Sequence, residues 1–215
     1  MPIEWDGDGT LGEQFTIEQN LERLLSEVQV DAVLRLPPTI AMAREWHRRI
    51  FEGVRSPIPY YVGGIRGSSL PHETELHNYE VAVPGPVGLI PAVPSSDVGA
   101  HLRQFAADFR GRVSALDQQF PSAGGLVLDR ADDVLALCAF AHGEWVRIHP
   151  FVNGNGRTAR IWANWCALRY GLPAFVRLRP RPDSNTYESA AQQSMFGQHQ
   201  TMEIEFLRML QRRIP

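Results

Sequence analysis

Residues 149–160 read HPFVNGNGRTAR, and this segment joins two predicted helices that would form the centre of the molecule. Apolar residues occur nearly all round the stretch 134–145, a pattern typical of a helix buried in the core of a domain. A second helix is predicted from about Arg157 to Tyr170, where Gly171 supplies the C-terminal stop. The glycines between the two helices allow backbone N–H groups to turn inward and form a nest that binds anions.

The same segment combines a phosphate site with a base. The N-terminus of the second helix adds unpaired N–H groups and the positive end of its dipole. Arg157 and Arg160 lie three residues apart on one face of that helix, and arginine binds phosphate oxygens through bidentate contacts. Asn153 and Asn155 can reach a metal or a phosphate, while His149 can act as a neutral base. Each fragment alone is also typical of an ordinary turn, so the interpretation depends on the complete spacing.

Outside this segment the sequence predicts an all-α domain of six to eight helices around a central helical core. Residues 1–15 lack periodicity and are predicted to form a flexible N-terminal arm, followed by a single domain over 16–215. Thr16 would begin the first helix, in a capping box with Gln19. Further helices are expected at about 39–53, 96–116, 184–196 and 201–213.

Residues 54–94 differ from the rest of the chain because they are rich in proline and glycine. Short β-type runs occur at 60–62, 79–83 and 87–90, and Pro84-Gly85-Pro86 is a turn signal between the last two. These runs are too few for a large sheet. The sequence therefore predicts one hairpin or extended loop in this region.

The composition excludes several classes of protein. Hydrophobic residues make up 44% and charged residues 21% of the chain, which is close to the average of globular proteins. The 21 basic and 24 acidic residues give a formal net charge of −3, so neither nucleic acid nor a membrane is expected as a partner. Cys138 and Cys166 are predicted to be reduced core thiols. No secretory signal or bilayer-spanning run occurs, so a cytoplasmic location is expected.

The segment 149–160 resembles the signature of the Fic family, HxFx(D/E)GNGRxxR. The matching residues are His149, Phe151, Gly154, Asn155, Gly156, Arg157 and Arg160. Trp46-His47 and Gly64-Ile65-Arg66 are similar to the helix and flap entry of this family. The resemblance covers about residues 39–180. It implies the Fic fold, with a short β-hairpin flap at about 60–83.

The resemblance implies transfer of AMP from ATP, with Mg²⁺ or Mn²⁺, to a hydroxyl group of a target protein. His149 would be the general base. The backbone amides of Gly154 to Gly156 would hold the α- and β-phosphates, and the Asn155 side chain would bond to a phosphate oxygen. Arg157 and Arg160 would meet the outer phosphates, with Arg160 orienting the γ-phosphate.

One position departs from the family pattern. The acidic residue that would hold Mg²⁺ is Asn153 in this chain, and its amide oxygen can bind a metal but supplies no negative charge. Two alternatives to AMP transfer therefore stay open. One is a catalytically weak Fic-like binding module, and the other is a variant transferase that moves phosphate or another phosphate-linked group.

The resemblance also implies protein partners. In the family the flap edge pairs with an extended segment of the target, a form of β-augmentation. The residues expected to contact the target are Tyr61, Val62, Gly63, Gly64 and Ile65. An inhibitory helix with the pattern (S/T)xxxE(G/N) is missing from 16–35, and the near match at Ser184–Ser189 ends in serine. A small antitoxin-like partner would then supply it, as expected for a bacterial toxin that acts in the cytoplasm or is delivered into a target cell.

Overall fold

The structure, a computed structural model, describes residues 3–5, 9–121, 131–182 and 185–213. These residues form eight α-helices and a two-stranded antiparallel sheet, as expected for an all-α fold with a short hairpin. The helices are α1 (Leu11–Val33), α2 (Ile40–Ile50), α3 (Thr74–His77), α4 (Ser95–Gln119), α5 (Ala131–Ile148), α6 (Asn155–Arg169), α7 (Asn185–Ser194) and α8 (Gln200–Gln211). The strands are β1 (Ala82–Gly85) and β2 (Gly88–Pro91), and a 3₁₀ turn covers Pro59–Tyr61. Within the described ranges, no helix combines the length and apolar character that a bilayer span requires.

Helices α5 and α6 lie at the centre of the fold. α6 packs against α5, α1 and α2, while α5 also contacts α4, α7 and α8. The side chains of Trp145, Trp162 and Trp165 are fully buried in this core. The apolar pattern over 134–145 therefore predicted the central helix correctly. Because both helices are buried, the loop that joins them starts and ends in the core.

The first helix begins at Leu11, so the predicted start at Thr16 was wrong. Thr10 is the N-cap: its hydroxyl oxygen accepts from the Glu13 N–H, and the Glu13 carboxylate accepts from the Thr10 N–H at 2.8 Å. The Thr16 hydroxyl instead donates to the Gly12 carbonyl inside the helix at 3.1 Å. The earlier capping box therefore sets the helix start, because it satisfies backbone groups that Thr16 cannot reach.

The prediction of a flexible arm over residues 1–15 is corrected in the described part of that segment. Residues 11–15 are helical, and the Trp5 side chain is only 7% exposed. Its indole packs on the ring of Phe51, with the ring centroids 4.5 Å apart. Residues 1–2 and 6–8 lie outside the described residues. Trp5 therefore belongs to the core and brings the start of the chain next to α2.

The hairpin is formed by β1 and β2, close to the runs 79–83 and 87–90 and the turn predicted between them, whereas most of the predicted flap segment 60–83 lies outside it. The two strands pair antiparallel, with Val83 opposite Ile90. The β-type run that begins at Tyr60 is instead part of the 3₁₀ turn over Pro59–Tyr61, because proline at the first position presets a helical φ. Tyr61 is fully buried in this turn. Packing in the core thus overrides the local preference for a strand.

Candidate active site

The loop between α5 and α6 is closed by the side chain of Asn155. Its Nδ2 donates to the Phe151 carbonyl at 2.8 Å, and its Oδ1 accepts from the Phe151 N–H at 2.9 Å. Asn155 is 2% exposed, and Phe151 is fully buried. The Asn155 side chain therefore shapes the loop. The expected bond from Asn155 to a phosphate oxygen stays a prediction, and the bonds to Phe151 give this side chain a structural role beside it.

Gly154 and Gly156 serve different purposes in this loop. Gly154 is the N-cap of α6 with φ of +78°, and a Cβ there would lie 2.7 Å from the Phe51 ring and 3.1 Å from His47 Nε2. Backbone strain and lack of space therefore both require glycine at this position. A Cβ at Gly156 would lie 3.4 Å from Arg160 Nη1, so the fold tolerates a side chain there. Gly156 instead leaves room in the cavity that it lines.

His47 on α2 supports the loop from behind. Its Nε2–H donates to the Asn153 carbonyl at 2.9 Å, and its Nδ1 accepts from the Gly63 N–H at 2.9 Å. Burial lowers the pKa of His47 to about 3, and the bond to Asn153 opposes this effect. The neutral imidazole thus ties α2, Gly63 and the loop together. The sequence marks Trp46-His47 only as similar to a helix of the family, and this positioning role depends on contacts with residues 63 and 153.

His149 stands at the start of the loop as a neutral imidazole. Its backbone is left-handed with φ of +53°, and its Nδ1–H donates to the Val146 carbonyl at 3.0 Å. That bond leaves the lone pair on Nε2. Burial lowers the pKa of His149 to about 4, an effect opposed by the bond to Val146 and assisted by the charge of Arg66. His149 is therefore neutral near pH 7 and can accept a proton at Nε2.

Arg66 fixes His149 relative to the hairpin, and its side chain is fully buried. The guanidinium donates to the His149 carbonyl at 2.7 Å and to the Ile148 carbonyl at 3.0 Å. It also donates to Tyr79, which precedes β1, at 2.9 Å and to Val93, which follows β2, at 3.0 Å. Arg66 therefore links the residues that flank both strands of the hairpin to the backbone of His149, the candidate base.

A cavity of about 590 Å³ opens beside the loop and the first turn of α6. Arg157 and Arg160 line it from α6, while Arg179 and Arg181 line it from the segment that follows α6. Glu18 on α1 faces them across the cavity. The site thus joins the predicted loop to α1 and to residues 179–181, neither of which carries a local sequence signal for this position. Such an arginine-rich lining suits a ligand with several phosphates.

Arg157 and Arg160 are held in place by contacts within the protein. Arg157 is 8% exposed and Arg160 is 7% exposed. The guanidinium carbon of Arg157 lies 5.1 Å from the centroid of the Phe51 ring. Arg160 donates from Nε and Nη2 to the Leu178 carbonyl at 3.1 and 2.8 Å. These contacts order the positive charge at the cavity before a ligand arrives.

Asn153 has neither the charge nor the geometry of a metal ligand. Its Oδ1 accepts from the Gly154 N–H, and its Nδ2 donates to the Trp5 carbonyl at 2.9 Å. Mg²⁺ favours carboxylate and phosphate oxygens over a neutral amide oxygen that is already bonded. No group of three or more His, Cys, Asp or Glu in the described part of the chain is placed to hold a metal ion. The residues at the site therefore fit phosphate groups and do not fit a metal ion held by the protein.

The residues predicted to contact the target lie behind the loop and not at an exposed edge. Tyr61, Gly63 and Gly64 are buried, while Val62 and Ile65 are half-buried and pack against the core. The backbone of Gly63 is already bonded, since its N–H donates to His47 Nδ1 and its carbonyl accepts from Arg44 Nε. Contact of these five residues with a target stays a prediction. The residues of the β1–β2 hairpin are more accessible, because they are exposed or half-buried along both strands.

The near match to an inhibitory motif lies on α7. Its glutamate, Glu188, pairs with Arg181 at 3.5 Å, and both side chains are largely exposed. Ser184, which begins the near match, lies outside the described residues. An exposed ion pair of this kind contributes little to stability. α7 thus meets the rim of the cavity through Arg181.

Mild acid is expected to destabilise the protein through its buried histidines. Burial lowers the pKa of His47 and His142 to about 3 and that of His149 to about 4. In the unfolded chain a histidine titrates near about 6.5, so the unfolded state binds more protons below that pH. The free energy of unfolding should therefore fall as the pH drops from about 6.5 toward 4, by up to about 1.4 kcal/mol per pH unit for each histidine. Urea unfolding at about pH 7.5, 6 and 5 measures this slope.

A His142→Gln variant is the control for this prediction. Because it removes one of the buried titrating groups, its free energy of unfolding should depend less steeply on pH, whatever its stability at pH 7.5. A free energy of unfolding that stays constant between about pH 7 and 5 would contradict the prediction. So would an unchanged slope in the His142→Gln variant.

The sequence pattern of the Fic/DOC family matches residues 37–167, which is more than half of the chain. A relative from Nematostella vectensis, named protein adenylyltransferase Fic, is 34% identical over 80 residues. That match covers 35% of this chain and 19% of the relative's own length. The chain thus corresponds to less than a fifth of this curated relative.

Solved structures share the fold at low sequence identity. A Fic domain-containing signalling protein from Bacteroides thetaiotaomicron is 20% identical, with a TM-score of 0.60 over 97% of this chain and 74% of that one. BepC, a VirB-translocated effector protein of Bartonella tribocorum solved with bound AMPPNP, is 18% identical, with a TM-score of 0.56 over 96% of this chain and 94% of that one. At these identities the likeness concerns the fold.

Proposed function

The chain belongs to the Fic/DOC family, and on that basis we propose that it transfers AMP from ATP to a hydroxyl group of a target protein. One observation carries the proposal: a single loop has a neutral histidine at its start and borders an arginine-lined cavity of about 590 Å³ at its end. Nucleotide transfer to a hydroxyl needs a base and a polyphosphate site next to each other. In this proposal His149 is the base and the arginine-lined cavity is the polyphosphate site.

The proposed reaction uses His149 as the base. The target hydroxyl oxygen attacks the α-phosphorus of ATP, Nε2 of His149 takes the hydroxyl proton, and the bond between the α-phosphorus and pyrophosphate breaks. Backbone amides from Gly154 to Gly156 and the N-terminus of α6 would stabilise the charge on the α- and β-phosphates. Arg157 and Arg160 would hold the leaving pyrophosphate.

The relatives support this choice of donor. The matching protein from Nematostella vectensis carries the name adenylyltransferase, and BepC was solved with AMPPNP bound. The match covers only 19% of that relative's length, so ATP and a target protein are proposed as the substrates of this chain. A divalent cation, Mg²⁺ or Mn²⁺, would enter on the phosphates of the donor, since Asn153 does not fit as its ligand.

Labelled ATP tests the proposed function. The protein is incubated with a cell extract and with ATP that carries the label on either the α- or the γ-phosphate. A His149→Ala variant serves as the negative control. We expect a target protein to gain the α-label only, and no protein to be labelled in the reaction with the variant. Transfer of the γ-label would contradict AMP transfer and assign the chain to phosphate transfer.

A nucleotide-binding module with little catalytic activity is the second candidate. The contacts of Asn153 favour it, because an amide in the metal position weakens the charge stabilisation that the departing pyrophosphate needs. Under this alternative the chain would bind ATP, yet neither label would reach a protein. The labelling experiment together with a binding measurement therefore separates the two functions.

A further inference from the structure

Arg179 is fixed at the wall of the cavity although it lies outside the motif. Arg160 donates twice to the Leu178 carbonyl, at 3.1 and 2.8 Å, and so holds the segment after α6 against that helix. The next residue, Arg179, then reaches the cavity. Its side chain is only 17% exposed, and its Nε pairs with Glu18 Oε1 at 3.2 Å.

The cavity carries more positive charge than the motif alone provides. Arg179 and Arg181 add guanidinium groups to those of Arg157 and Arg160, while Glu18 lines the same cavity and Glu188 pairs with Arg181 at 3.5 Å. Guanidinium groups present planar pairs of N–H donors that match phosphate oxygens. The lining therefore suits a chain of phosphates that extends beyond the reach of α6.

The metal position of the loop is built around an amide. Asn153 Nδ2 donates to the Trp5 carbonyl at 2.9 Å, so a carboxylate there would bring an anionic oxygen against the carbonyl oxygen. Asn153 also adds no negative charge with which a cation could pair. The positive charge that a bound triphosphate needs must then come from the surrounding side chains.

We infer that Arg179 binds the outer phosphates of the donor and, with Arg157 and Arg160, supplies the charge that a metal ion held by the protein would otherwise provide. The inference rests on the proposed function for the identity of the donor, ATP. On binding, a phosphate oxygen replaces the Glu18 carboxylate at Nε of Arg179, so this part of the guanidinium exchanges one anion for another. Affinity for the donor therefore depends on Arg179 and little on a divalent cation.

Calorimetry with ATP, AMP and inorganic tripolyphosphate, each in EDTA and in MgCl₂, tests this inference. The Kd of the wild-type chain for ATP should differ by less than about threefold between the two buffers. Arg179→Ala should weaken ATP and tripolyphosphate by roughly tenfold or more, because a charged hydrogen-bond partner is lost. The same variant should bind AMP within about threefold of wild type, because AMP lacks the outer phosphates.

Glu18→Gln is the matched control. It breaks the same ion pair as Arg179→Ala but leaves the guanidinium in place, so it should bind ATP at least as tightly as wild type. Arg110→Ala, on the exposed face of α4, should leave every Kd unchanged. Equal losses in Arg179→Ala and Glu18→Gln would overturn the inference, since the ion pair and not the phosphate contact would then matter. Loss of ATP binding in EDTA would overturn it as well.

The probes also separate this inference from the proposed function. Tripolyphosphate binding that depends on Arg179, without binding of ATP, would uphold the phosphate contact and overturn ATP as the donor. ATP binding that depends on Arg179, without transfer of AMP, would overturn only the reaction. A wild-type chain that binds none of these probes would overturn both.

Discussion

Replacing His149 with alanine is expected to lower the rate of AMP transfer by about 10²- to 10⁴-fold, the usual contribution of a positioned general base. Nε2 is the nitrogen that can take the hydroxyl proton, because the Nδ1–H is bonded to the Val146 carbonyl. The affinity for ATP should change little, since the arginine-lined cavity borders the loop from Asn153 onward. Initial rates at saturating ATP and the Kd for ATP measure the two effects separately.

His72→Ala is the matched control for this prediction. His72 is exposed and lies outside the site, so the same exchange should leave the rate unchanged. Because burial lowers the pKa of His149 to about 4, the wild-type rate per folded molecule should also stay nearly constant from about pH 8 to 5 and fall only near pH 4. A His149→Ala variant that loses affinity for ATP as strongly as it loses rate would assign the residue to donor binding instead.

Most helices could be predicted because their signals are local. The Thr39 hydroxyl accepts from the Met42 N–H at 3.2 Å and caps α2, as expected, and α4 begins at Ser95, beside the predicted Ser96. Caps and amphipathic faces depend on residues three or four positions apart, which the sequence displays directly. The glycine and arginine spacing of 149–160 is local in the same sense, and it located the loop correctly.

The wrong predictions concern segments in which two local signals compete. In these segments, packing against residues distant in the sequence determines which structure forms. Capping boxes at Thr10 and at Thr16 could each start α1, and only the structure shows Trp5 packed into the core just before the earlier one. The run beginning at Tyr60 has the composition of a strand, yet its core contacts select a 3₁₀ turn. Periodicity cannot predict such choices, because they depend on packing between remote segments.

The partners of the site residues were also beyond local reasoning. Asn153 bonds to Trp5, which is 148 positions away, so its expected role as a metal ligand could not be judged from the motif. Arg179 reaches the cavity only because α6 holds the segment before it. Arg66 did leave a signal: it is the only Lys or Arg between Arg55 and Arg103, in a region rich in proline and glycine. This isolation is typical of a buried structural arginine.

Replacing Arg66 with alanine is expected to lower the free energy of unfolding by about 3–5 kcal/mol. The fully buried guanidinium donates to the carbonyls of His149, Tyr79, Val93 and Ile148. Its removal leaves these acceptors without a donor in a buried place, where each unsatisfied group costs about 1–3 kcal/mol. Urea unfolding measures the change, with the exposed exchange Arg110→Ala as the control that should stay close to wild type.

Arg66→Lys keeps the prediction testable if the alanine variant does not fold. The ammonium group of lysine retains the charge, but it lacks the planar guanidinium group. In Arg66 this group bonds both to the end of α5 and to the residues that flank the hairpin. We therefore expect its free energy of unfolding to lie between those of wild type and Arg66→Ala. A loss below about 1 kcal/mol in Arg66→Ala would contradict the bonding described above.

Arg66→Lys should also separate the stability of the fold from the placement of the base. The guanidinium Nε donates to the carbonyl of His149 itself, whose backbone is held at φ of +53°. Since non-glycine residues seldom adopt this conformation, the surrounding bonds must maintain it. Without the planar guanidinium group, the imidazole should lose its position even in molecules that remain folded. The rate of AMP transfer per folded molecule should then fall in Arg66→Lys, while its affinity for tripolyphosphate, which depends on the far end of the loop, stays near the wild-type value.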